Sequence, residues 1–196
     1  MNYKVAQKYD ANKVINYLKN EKMTSTRIKD CLFSFYRFEK GMFVASEVPF
    51  RFNISDIVLA NKDFTQFIEI EIKISKADFL NDFKKQKYQE EKLGIEYPFH
   101  KFYFCVSLDL KDFCLQYLTE NNLPYGLLTL DNYPVWLNNK PLMRNILTIK
   151  KAKKMTNESV EAKQRFTSAF LKRITSELAN LHEQKYFDDS ILDNLK

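Results

Sequence analysis

The stretch Phe67-Ile68-Glu69-Ile70-Glu71-Ile72-Lys73-Ile74 is the most regular alternation in the chain. Successive side chains of a β-strand point to opposite faces. Ile68, Ile70, Ile72 and Ile74 therefore share one face, and Phe67, Glu69, Glu71 and Lys73 the other. Ser75-Lys76-Ala77-Asp78 follows at once and predicts a capping box that opens a helix. Phe79, Leu80, Phe83 and Tyr88 supply the apolar face of that helix, and Gly94 ends it. Lys101 to Leu108 reads as the next strand, with aromatic residues at its start. Strand, helix, strand at this spacing implies a right-handed crossover between strands of one sheet.

Upstream, Val14, Ile15, Tyr17 and Leu18 predict a short helix. A second begins at the capping residues Thr24-Ser25-Thr26, carries Ile28, Cys31, Leu32, Phe35 and Phe38 on its apolar face, and stops at Gly41. Met42 to Val48 and Phe50 to Leu59 read as strands joined by a turn near Pro49. Downstream, Leu110 to Asn121 predicts a helix. Gly126 to Leu130 and Val135 to Leu137 predict short strands around Asp131-Asn132-Tyr133-Pro134. The sum is an α/β domain, a mixed sheet flanked by helices, over residues 1–148. Residues 149–196 are a basic segment and a long helix with Val160, Phe166, Phe170, Ile174, Leu178 and Leu181 as its stripe. That helix is expected to pack on the core or to make a homodimer.

Composition bounds the function. The 196 residues are 45% hydrophobic and 15% aromatic, which excludes disorder over the whole length. A formal charge of +6 and a pI of about 9.0 suit a polyanionic partner. Cys31, Cys105 and Cys114 form no CxxC pair and only two histidines are present, which argues against structural zinc. Met1 to Asp10 lacks an apolar signal core, and no run is long enough to span a bilayer. A cytoplasmic location is expected.

Glu71 and Lys73 lie two apart and so project together from one strand face. A carboxylate that binds a hard divalent cation, beside an ammonium that offsets charge on a phosphate, suits metal-assisted hydrolysis. The second carboxylate is Asp56. A hairpin folded near Asn61-Lys62-Asp63 pairs position 56 with position 71. The same Glu-Ile-Glu-Ile-Lys-Ile text also describes any half-exposed strand with its charges in water.

Asp56 followed by Glu71-Ile72-Lys73 resembles the spaced D…(D/E)-x-K signature of the PD-(D/E)XK nuclease superfamily. Glu71 through Lys84, with Ser75, Asp78, Phe79, Asp82, Lys84 and Tyr88 in place, resembles the MmcB-like family of bacterial DNA repair proteins. The strand Phe102 to Val106 and the segment Pro124…Gly126-Leu127-Leu128 also fit, so the resemblance covers roughly residues 25 to 145. It implies a restriction-endonuclease-like core. The activity implied is a deoxyribonuclease, dependent on Mg²⁺ or Mn²⁺, acting in DNA repair or in phage or plasmid DNA processing and leaving a 3′-hydroxyl. Asp56, Glu71 and the Ile72 carbonyl would be metal ligands, and Lys73 the catalytic base or stabiliser. Glu47 would be an upstream acidic ligand, with Glu39 a poorer choice. No Pro precedes Asp56, a departure that the superfamily tolerates.

Lys84, Lys85 and Lys87, on the helix after the catalytic strand, and Lys150, Lys151, Lys153 and Lys154 are candidate contacts to DNA phosphates. Glu69 is expected to be solvated, Asp78 a helix cap, and His100 and His182 structural. The rival to an enzyme is a non-cleaving DNA-binding or scaffold protein that retains the fold.

Overall fold

In the computed structural model, six strands form one sheet in the order of the chain. The structure describes residues 10–51, 53–85, 98–137, 140–155 and 159–193, with the backbone alone at 11, 132, 134–137, 140–143 and 180–193. The strands are β1 (Phe43–Phe50), β2 (Asn53–Ala60), β3 (Phe67–Lys73), β4 (Lys101–Val106), β5 (Gly126–Leu137) and β6 (Lys140–Lys150). β1, β2 and β3 run antiparallel in succession. β3, β4 and β5 are mutually parallel, and β6 returns antiparallel on the far edge. The helices are α1 (Ala11–Asn20), α2 (Ser25–Ser34), α3 (Lys76–Asp82), α4 (Lys111–Glu120) and α5 (Val160–Asp193).

Both faces of the sheet are covered. Ile57, Leu59, Ile70, Ile72, Cys105 and Leu128 pack against Ile28, Cys31 and Leu32 of α2. On the other face Phe67, Phe102, Phe104 and Val106 pack against Phe79 of α3, Cys114 and Leu118 of α4, and Phe166 and Phe170 of α5. The long helix thus packs on the core through its first three turns, one of the two placements expected of it. Phe166 meets Phe50, Phe67 and Phe99 edge to face with ring centroids 4.9–5.5 Å apart, a preferred aromatic geometry.

α5 also closes the β1 edge. Glu177 accepts from the backbone N–H (3.2 Å) and hydroxyl (2.7 Å) of Ser46, and Arg173 Nε donates to the Ser46 carbonyl at 2.8 Å. Pro49 lies in β1 and Pro141 in β6. Both are edge strands, where a missing N–H costs least.

Several details depart from the sequence expectations. The β1–β2 turn falls after Phe50, two residues beyond the Pro49 break, because Pro49 still pairs with Ile54. α2 gives way to a π turn over Phe35–Glu39 that turns Phe38 out to solvent, before Gly41 takes φ +63°. α3 stops at Asp82. Tyr88 and Gly94, expected to continue and end it, lie outside the described residues. The two short strands around Asp131 are one irregular strand, β5, with a register shift between Leu130 and Pro134. β6 was not expected at all.

Gly126, at the start of β5, has a steric reason for its identity. A Cβ there would overlap the ring of Tyr103 and lie 2.8 Å from the Ala152 nitrogen. Gly126→Ala is expected to destabilise the fold by about 1–3 kcal/mol, as overpacking does. A urea midpoint equal to wild type would contradict this.

Candidate active site

The β2–β3 connection sets the site. Asn61 Oδ1 accepts from the N–H groups of Thr65 (2.9 Å) and Gln66 (3.0 Å), and Asn61 N–H donates to the Gln66 carbonyl. The strands leave this loop in the register Ile57–Ile70, Val58–Glu69, Leu59–Ile68 and Ala60–Phe67. Continued one step, it puts Asp56 opposite Glu71, as the hairpin estimate has it. Asp56 Oδ2 accepts the Ile72 N–H at 2.8 Å.

The charged face of β3 is not in water. Glu69, Glu71 and Lys73 are 1%, 2% and 3% exposed, because α3 and α5 cover the face that alternation alone would leave solvated. Glu69, expected to be a solvated position, accepts from the Ser55 hydroxyl at 2.8 Å.

Lys73 Nζ lies 3.1 Å from Glu71 Oε2 and 2.6 Å from Asp82 Oδ1. Lys85 Nζ reaches the same two oxygens, at 3.4 and 2.5 Å. Asp78 Oδ1 stands 4.0 Å from Lys73, while the Asp78 backbone N–H completes the Ser75 cap. Burial favours a neutral Lys73, but Glu71 and Asp82 outweigh it and hold its pKa above the ordinary lysine value. Lys85 is raised by the same two carboxylates against the same burial.

Asp56 is shifted the other way for a carboxylate. Burial, then the charge of Glu71, raise its pKa, and the Ile72 N–H, Lys73 and Lys29 only partly offset them. The folded chain thus holds a proton on Asp56 more tightly than the unfolded chain does. Stability contributed by protonated Asp56 is lost as pH rises from the ordinary value of 3.8 through the folded-state value. Asp56→Asn removes that loss. It is expected to raise the melting temperature at pH 7 and to leave it little changed at pH 3. A lower melting temperature at pH 7 would contradict the strained carboxylate pair.

Asp56, Glu69, Glu71 and Asp82 thus gather at the end of β3, with Lys73 and Lys85 on Glu71 and Asp82. Among the described residues no three His, Cys, Asp or Glu side chains converge as a closed metal cage. Asp56 and Glu71 together fit a weaker requirement. Mg²⁺ keeps several waters and takes one or two carboxylates, and a divalent charge between these two would relieve their repulsion.

Other expected site residues lie elsewhere. Glu47 faces Asp56 in the register, yet it has φ +50°, is 57% exposed on its side chain, and pairs with Lys29 (3.0 Å) and Arg173 (3.6 Å). Its carboxylate is engaged by cations and is not brought to Glu71. Lys85 belongs to the carboxylate cluster and not to a free phosphate-binding row. Lys84 is exposed and bonds to Asn81 at 2.9 Å, and Lys87 lies outside the described residues. Lys150 donates to the carbonyls of Leu123 (2.9 Å) and Tyr125 (2.5 Å), so it ties the loop before β5. Burial, then Lys153, lower its pKa. Lys151, Lys153 and Lys154 are exposed on a segment anchored by buried Ala152 and Met155.

From sequence Lys85 is a candidate phosphate contact and Asp82 only part of the family resemblance, and neither is placed on Glu71 and Lys73. The signal was helical spacing: Asp78, Asp82 and Lys85 fall four and three apart directly after the Glu-x-Lys strand, which puts all three over its end.

No family model and no curated protein matches the chain. The fold does have a counterpart. The SPO1766 protein of unknown function from Silicibacter pomeroyi superposes with a TM-score of 0.61, at 19% identity, over 84% of this chain and 95% of that one. The likeness is one of fold. It accords with this chain's α/β mixed sheet flanked by helices, with a long C-terminal helix. Among the described residues no helix is long and apolar enough to cross a membrane.

Proposed function

We propose that the chain is a divalent-metal-dependent nuclease that hydrolyses phosphodiesters in DNA. The observation that carries the reading is the Asp56–Glu71 pair. Asp56 and Glu71 are the next residues beyond the Ile57–Ile70 pair, Asp56 is held on the Ile72 N–H and feels the charge of Glu71, and buried Glu71 carries Lys73. Burying that much like charge is costly, and such perturbed groups cluster at functional sites. The resemblance to PD-(D/E)XK nucleases and the MmcB-like repair family points the same way, as does the basic composition.

Asp56, Glu71 and the Ile72 carbonyl would hold the metal, Mg²⁺ or Mn²⁺. Bound there, it would supply a water of lowered pKa and a Lewis acid for a phosphoryl oxygen. Lys73, held cationic by Glu71 and Asp82, would stabilise charge on the phosphate. Asp82 holds Lys73 from the helix side and is a positioning residue. The Ile72 N–H fixes the Asp56 carboxylate in orientation.

One observation favours a second reading. Both ammonium groups sit on Glu71 Oε2, an oxygen a metal would use. A non-cleaving DNA-binding protein that retains the fold could leave them there permanently.

The test uses labelled single-stranded, duplex and branched DNA with Mg²⁺, Mn²⁺ or EDTA. Thermal melting with and without Mg²⁺ accompanies it. The nuclease reading expects metal-dependent cutting, and a Mg²⁺-induced rise in melting temperature that Asp56→Asn loses. Binding without cutting, and no response to Mg²⁺, would establish the second reading.

A further inference from the structure

Beside the β1–β2 hairpin, a cleft of about 540 Å³ opens against α5. Its helix wall carries Arg165, Lys172 and Arg173, with Ser168 between them and Ser176 beyond. These recur at three- and four-residue steps, so they form one face of α5, next to the face that sends Phe166 and Phe170 into the core. Its hairpin wall is Glu47 and the cross-strand pair Pro49–Ile54, and Ile54 is 64% exposed. The lining holds three cations and one carboxylate, Glu47, which pairs with Lys29 and Arg173; Arg173 also pairs with Glu177.

Position gives the cleft its meaning. Glu47 lies between the pairs Ser46–Ile57 and Val48–Ser55, level with Asp56, and the β2–β3 register continued one step sets Asp56 level with Glu71. Neighbouring strands lie ~4.8 Å apart, so the cleft rim is about 10 Å across the sheet from Glu71. At ~3.4 Å per nucleotide that is about three nucleotides. The Arg173 guanidinium is held rigid by Ser46, Glu47 and Glu177, while Lys172 is exposed along the wall. A cationic wall over a small apolar floor matches a sugar–phosphate strand, whose phosphates meet cations and whose sugars or bases meet apolar surface.

We propose that this cleft between α5 and the β1–β2 hairpin binds the nucleic-acid backbone flanking the phosphodiester held at Asp56 and Glu71. The inference rests on the nuclease reading for its substrate, but it concerns binding alone. It replaces the lysine row at Lys84–Lys87 and Lys150 as the main phosphate contact.

The test is fluorescence anisotropy of labelled DNA at several salt concentrations with the full chain. It compares wild type, Lys172→Glu, Ser168→Glu and Lys73→Ala. Lys62→Glu, at the far end of β2, is the matched charge control. Melting curves check folding, and Ser168→Glu adds charge to the cleft without removing any existing partner cation. The expected result is at least tenfold weaker binding for both cleft variants, against less than twofold for Lys62→Glu. The slope of log K against log salt should fall by about one for Lys172→Glu. Lys73→Ala should still bind. Cleft variants that bind like wild type would overturn the cleft proposal and leave the nuclease reading intact. Wild type that binds no DNA would overturn both.

Discussion

Lys73→Ala is expected to lower metal-dependent cleavage of DNA by about 10²–10⁴-fold, the range lost when one positioned charge-stabilising or proton-transfer group is removed. The argument starts from burial. Lys73 is 3% exposed and its Nζ is fixed from two sides, by Glu71 from its own strand and Asp82 from α3. Its raised pKa keeps it cationic at neutral pH, so the truncated side chain removes a full charge from the place where charge on the phosphate would grow. The same substitution leaves two buried carboxylates, Glu71 and Asp82, that Lys85 still contacts. Removing one partner of a buried ion pair costs about 3–5 kcal/mol where nothing replaces it, and Lys85 should keep the loss toward the low end. Rate and stability therefore need separate measurement: single-turnover cleavage for one, urea unfolding for the other. A folded Lys73→Ala that cuts at the wild-type rate would remove Lys73 from the mechanism.

Phe170→Ala is expected to cost about 3–5 kcal/mol of folding stability, a large share of the ~5–15 kcal/mol that holds a typical domain together. Phe170 is fully buried, with ring centroids 5.5 Å from Phe67, 6.1 Å from Phe64 and 6.4 Å from Phe166. Phe67 begins the strand that carries Glu71 and Lys73, so the loss should spread to the site. Urea denaturation reads the effect. A near-zero change would mean that α5 is an independent appendage, as a boundary at residue 148 implies. The expected result is one transition at a lower midpoint.

How much of this was legible in the sequence varies with the kind of information involved. Register was legible. A period of two and a turn centred near residue 63 are local facts, and they bring Asp56 beside Glu71. Capping was legible too: Thr24 and Ser75 each accept from the N–H three residues on, at 3.1 Å. Burial of the β3 charges was not legible, since alternation reports which residues share a face and not what covers it. The covering comes from α3 over Glu71 and Lys73 and, almost a hundred residues on, from α5 over Phe67. Glu47 illustrates the same limit. Its strand position was right, but the φ of +50° and the two cations that take its carboxylate are tertiary facts. Lys85 looked like one of a basic row, and only the fold over Asp82 and Glu71 makes it an internal counter-charge. β6 escaped because an edge strand opening on Lys-Pro, with register shifts against β5, carries no clean alternation.

The hold of α5 on Ser46 has a consequence for how copies of this chain keep apart. A strand at the margin of a sheet offers its spare amide and carbonyl to any passing strand, and pairing of that kind propagates into aggregates. Here Glu177 and Arg173 stand in for the missing neighbour, so the helix serves as a side-chain substitute for a seventh strand. A chain cut before Arg173 would lose this guard while keeping Phe166 and Phe170 in place. It should fold and yet become sticky along β1, its solubility falling with concentration faster than its stability does.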